Sequence, residues 1–92
     1  MKKIMLLEDR FRRQETFLSQ NNISLAEYDD ILDNYVGSKA DEALELIFLG
    51  TFNFQDYDVI VCHKSVQYKN ENASIISNLT KYCHMHKKTL VL

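Results

Sequence analysis

Proline is missing from this chain altogether, and glycine occurs only twice, at Gly37 and Gly50. Turn-rich all-β folds and disordered segments draw on both residues, so both classes are disfavoured. Two cysteines, Cys62 and Cys83, are too few for the disulfide framework of a small secreted domain. No apolar run approaches the ~20 residues needed to cross a bilayer. Met1-Lys2-Lys3 is followed by only four apolar residues before Glu8, too short a run for a secretory leader. A dominant charge is also lacking. The net charge is −2, with both signs interspersed, and no nucleic-acid footprint stands out. The expectation is a soluble cytoplasmic protein with reduced thiols, no membrane and no nucleic-acid partner.

What is present suits one domain over residues 1–92, 46% hydrophobic and 26% charged. A domain of this size buries only about 60–65% of the surface its unfolded chain exposes, so its stability margin is thin. Two apolar runs organise it. Lys3-Ile4-Met5-Leu6-Leu7 stops on Glu8-Asp9, and Tyr57-Asp58-Val59-Ile60-Val61-Cys62 stops on His63-Lys64-Ser65. Runs without polar alternation suit strands of a parallel sheet covered by helices on both faces. Functional groups in such sheets gather beyond the carboxyl ends of the strands. Glu8, Asp9 and His63 are therefore expected on one rim.

Between these runs the helical signals are read in turn. Asp9 can cap a helix over 10–20, with Phe11, Gln14, Phe17 and Leu18 as its modest apolar face. Residues 24–36 carry two signals. Ser24 to Glu27 looks like a capping box, with helical spacing through Tyr35, whereas Ile31-Leu32 among Asp29, Asp30 and Asp33 suits a charged edge strand near 29–33. Ser38-Lys39-Ala40-Asp41 is a clearer cap, and the helix it opens should stop at Gly50. Phe52 and Phe54 should fold back onto the core. A last helix is expected from about Glu71 to His86 with Asn70 or Asn72 as its cap, followed by a strand through Leu92.

In this order the chain resembles the receiver domain of two-component response regulators, a flavodoxin-like (CheY-like) fold. "KKIMLLEDR" is similar to the family's first strand with its acidic pair, "ADEALELI" to its second helix and "YDVIVCHKS" to its third strand. The resemblance implies a three-layer α/β fold with a mostly parallel sheet, here of about four strands and shortened at its C-terminal end. Three departures bear on function. His63 stands where the family carries its phosphoacceptor aspartate, so ordinary receiver phosphorylation is not expected. Arg10 follows the acidic pair directly, which should weaken a Mg²⁺ site that relies on hard oxygen ligands. The chain stops at its fourth strand, so Leu90, Val91 and Leu92 would form an apolar sheet edge that a partner or a second copy should cover.

The resulting expectation is a non-phosphorylatable receiver-like module that acts through protein association, as a homodimer or with another partner. The alternatives are a fragment of a larger receiver-like protein and a small metal- or phosphate-dependent enzyme. In the enzyme reading, Glu8 and Asp9 with His63 would hold a divalent metal, two carboxylates and an imidazole being a sensible donor set. His63 and Ser65 would form a base and nucleophile, although no glycine elbow accompanies them. Cys83 and His86, three apart on a helix, are a weaker metal pair. No organic cofactor is indicated.

Overall fold

The computed structural model describes residues 2–92. Strands and helices alternate along the chain as β1 (Ile4–Glu8), α1 (Phe11–Gln20), β2 (Leu32–Val36), α2 (Ser38–Leu49), β3 (Val59–Cys62), α3 (Ala73–His86) and β4 (Thr89–Val91). A 3-10 turn at Leu25–Tyr28 precedes β2. The sheet has the order β2-β1-β3-β4, and every pairing is parallel. The expected α/β class with a four-stranded parallel sheet is what forms, in an order consistent with a flavodoxin-like arrangement.

The reversal of strand order at β1 decides which face each helix covers. Right-handed crossovers send α1 to one face and α2 and α3 to the other. The side chains follow the two-residue period of a strand. Met5, Leu7, Ile60 and Cys62 point toward α2 and α3, and with Ala40, Ala43, Leu44, Ile47, Ile75 and Leu79 they form the core. Burying each large member contributes about 1.5–3 kcal/mol. Phe54 is buried in this core and Phe52 packs against it, as the sequence suggests. Leu6, Val59 and Val61 alternate with the core residues and face α1.

Helix termination at Gly50 holds, but several expected caps do not form. Gly50 adopts φ +76°, with Thr51 N–H reaching back to the Leu46 carbonyl at 2.8 Å, a Schellman-type stop. Ser38 lies inside α2, and Gly37 takes the N-cap position at φ +63°. That backbone state lets the chain leave β2 and enter α2 within one residue. Neither Asp9, Ser24 nor Asn72 bonds its helix as a cap. The Asn72 amide is drawn off to the Lys64 and Val66 carbonyls, at 3.0 and 2.7 Å, and so ties down the loop after β3.

The ambiguous stretch resolves in favour of the strand, and the helix spacing through Tyr35 is not used. The capping-box segment makes only the 3-10 turn, and the strand forms three residues later than expected, at Leu32–Val36. The shift places Asp33 where the Tyr57 hydroxyl donates to it, while Tyr35 and Tyr57 share a hydroxyl contact at 2.7 Å. Edge strand β2 is pinned to the start of β3 through these groups. At the same end of the sheet, the Lys88 ammonium donates to the Phe54, Gln55 and Tyr57 carbonyls. Among the described residues, no helix is long and apolar enough to cross a membrane.

Candidate functional site

Strand register brings the two polar tips together. Leu7 pairs with Cys62, so Glu8 and His63 are the next residues out on adjacent strands. They flank the point where the strand order reverses, which is where parallel sheets form a crevice. A groove of about 470 Å³ opens there, lined by the last residues of β1 and β3, by Val91 and Leu92 and by one side of α1. Glu8, Arg13, His63 and Lys64 sit at its polar end, and Leu6, Phe17, Val61, Val91 and Leu92 form its apolar part. Asp9 stands just behind Glu8.

The acidic pair is occupied by an arginine. Arg13, one turn into α1, donates to both oxygens of Glu8 at 2.8–3.0 Å and to Asp9 at 2.7 Å. The Arg10 backbone N–H adds a bond to Glu8 at 3.0 Å. Burial raises the Glu8 carboxyl, but its hydrogen bonds outweigh that effect and hold it below its ordinary pKa. Asp9, desolvated and beside the charged Glu8, is held above its ordinary value. Burial also pushes the Cys62 thiol up to about 12, which keeps it an unreactive apolar group under the rim.

His63 and Ser65 meet through the backbone. The Ser65 N–H donates to His63 Nδ1 at 3.0 Å, which fixes the imidazole with Nε2 as its remaining nitrogen. A nucleophile–base pair requires a bond from the serine hydroxyl, and here the amide takes that place. Among the described residues, no group of three or more His, Cys, Asp and Glu side chains is arranged to hold a metal ion. Glu8 and Asp9 share Arg13, while Cys83 packs in the core and His86 stacks on Tyr82 at 4.2 Å between ring centroids.

Sequence reasoning placed Gln14 and Phe17 only on the apolar face of α1 and did not single out Arg13 as the partner of the acidic pair. A signal for Arg13 was present, since Asp9 and Arg13 stand four apart across a helix start. Gln14 is the one buried residue of α1, and its amide reaches Asn34 on β2 at 2.6 Å. That bond seats α1 above β1 and β2 and leaves the α1 side of β3 and β4 open. Val91 is 44% exposed and Leu92 is 59% exposed, whereas Leu90 packs on the core from the opposite side. Strand β4 has β3 as its sheet neighbour, and its other edge has no partner among the described residues. Comparison with family models, curated proteins and solved structures gave no match.

Proposed function

We propose that this chain is a receiver-like regulatory module of the cytoplasm. It works by docking against a protein surface, a second copy of itself included, and does not accept a phosphoryl group. The observation that carries this reading is the half-covered sheet. Helix α1 shields β1 and β2, while Val61, Val91, Leu92 and Phe17 line an open groove. Contiguous open apolar surface bounded by polar groups is characteristic of interaction sites. The chemistry of the rim favours the same reading. Histidine stands at the end of β3, and the acidic pair is already held by Arg13. Two free, buried thiols suit a reducing compartment.

The test is site-specific photo-crosslinking in cells that express the chain. A benzophenone side chain at position 17, in the groove, should give defined adducts. The same group at position 81, on the exposed side of α3, should not. Equal yields at both positions, or none at either, would overturn the docking reading. A covalent phosphate on the chain after acetyl phosphate and Mg²⁺ would overturn the claim that it does not accept a phosphoryl group.

A further inference from the structure

We infer that the outer edge of β2 pairs with the same edge of a second copy of this chain. The two strands run antiparallel about a two-fold axis, and the two sheets join into one. The inference does not use the groove and stands apart from the docking reading above.

The first ground is unpaired backbone. In a parallel pair, alternate residues turn their N–H and C=O toward the neighbouring strand. The Ile31 carbonyl accepts from the Ile4 N–H at 2.9 Å. Ile31, Asp33 and Tyr35 therefore face β1, and the backbone groups of Leu32, Asn34 and Val36 face outward. Among the described residues, no hydrogen bond reaches those outward groups.

The second is the lack of guards. Natural sheets protect an edge with lysine, proline, a bulge or a very short strand. Strand β2 has five residues, as many as any strand of the sheet, and contains neither lysine nor proline. Its register with β1 runs unbroken from Leu32 to Val36, so no bulge turns it away. Its one charge, Asp33, is engaged within the chain by the Tyr57 hydroxyl.

The third is what an antiparallel register sets opposite what. Full overlap places Asn34 on the axis, Leu32 against Val36 of the second copy, and Asp33 against Tyr35. The outward residues then form the hydrogen-bonded pairs and exchange about six backbone bonds. The Leu32–Val36 pairs lie on the α1 side, where the Asn34 amide meets Gln14. Within the strand no like charges meet. The two ends of β2 also differ. Asp29 and Asp30 precede it, with Lys2 4.0 Å from Asp29. At the far end the Lys39 ammonium lies 4.4 Å from the centroid of the Tyr35 ring, with Asp41 and Glu42 further into α2. Antiparallel pairing lays the acidic start of one strand beside the lysine end of the other. A parallel pairing would set two acidic starts side by side.

Such a contact is isologous and closes at two copies. The test reads single amides of the wild-type chain by NMR-detected hydrogen exchange. Exchange at Leu32, Asn34 and Val36 should slow several-fold between low and high micromolar concentration. Asp33 and Tyr35, bonded to β1, should be slow at both. Sedimentation velocity should show dimers that grow with concentration and nothing larger. Charge variants then fix the register. Leu32→Glu alone and Val36→Lys alone should each weaken the dimer several-fold. Both changes in one chain set the introduced carboxylate against the introduced ammonium at each end of the seam and should restore it. Should a variant fail to unfold cooperatively in urea, the wild-type exchange pattern decides alone. A wild type that stays monomeric at high micromolar concentration would overturn the inference, as would exchange at Leu32, Asn34 and Val36 that ignores concentration. So would single variants that dimerise like wild type, or a folded double variant that does not dimerise. Absence of crosslinks from position 17 would remove the docking reading and leave this dimer standing.

Discussion

Neighbouring residues of β3 meet opposite conditions. Ile60 is fully buried and Cys62 nearly so, under α2 and α3. Val59 and Val61, one step away along the same strand, are only partly covered on the α1 side. The backbone is the same, and so is the apolar character of the side chains. The difference is that two helices pack against one face and a single, mostly polar helix against the other. One face is a finished core, and the other is only partly covered. In a domain this small, the finished face must supply most of the stability.

Large-to-small substitutions should separate the two faces most strongly. Leu79→Ala removes a fully buried side chain from the α2–α3 side and should cost about 3–4 kcal/mol. Val61→Ala on the open side should cost no more than about 1 kcal/mol, because little of its surface is withdrawn from water. Urea unfolding of dilute, monomeric protein would measure both. Equal losses would mean that the open face is closed by something within the chain.

A second comparison sets Arg13 against Lys64, two cations on one groove. Arg13 holds two carboxylates whose side chains are 6% and 10% exposed. Arg13→Ala strands that charge and should cost on the order of 3 kcal/mol, whereas Lys64→Ala should be close to neutral. The freed carboxylates would then present hard oxygens to a divalent cation. Millimolar Mg²⁺ or Mn²⁺ should raise the unfolding midpoint of Arg13→Ala and leave wild type unmoved. A wild type stabilised as much as the variant would favour a metal centre over the arginine clamp.

The smallest effect lies within the acidic pair itself. Glu8, held below its ordinary pKa, stabilises the fold above the unfolded carboxyl pKa and loses that contribution as pH falls through its lowered folded value. Asp9, held above its ordinary value, acts in the opposite sense. Its contribution is present below the unfolded pKa and is lost as pH rises through the raised folded value. The two partly cancel in wild type. Asp9→Asn removes the opposing contribution, so stability should fall more steeply with acid than in wild type between about pH 5 and pH 3. Urea midpoints across that range would check the slope, and an unchanged slope would mean that the two carboxylates do not share their charge.

Much of the fold was legible because its signals are local. Two unbroken apolar runs declared β1 and β3, and Gly50 declared the end of α2. Where the signals failed, a distant group had changed the local choice. Strand β2 forms three residues beyond its expected place, where Asp33 and Tyr35 meet Tyr57 from the segment leading into β3. Asn72 leaves its helix uncapped because the Lys64 and Val66 carbonyls lie within its reach. The rim holding Glu8 and His63 was foreseeable, since parallel strands of similar length end together. Arg13 as the occupant of the acidic pair was visible only as a spacing.

The sequence by itself determined the α/β class, the approximate positions of the strands and the polar rim at their tips, because hydrophobic period and backbone preference act over a few residues. Tertiary structure alone decided that Arg13 closes on both carboxylates, that Gln14 and Asn34 seat α1 over β1 and β2, and that Val61, Val91 and Phe17 share an open groove. Those outcomes depend on strand order and on which face each crossover covers. Both are set by contacts between segments far apart in the chain, and no local pattern encodes them.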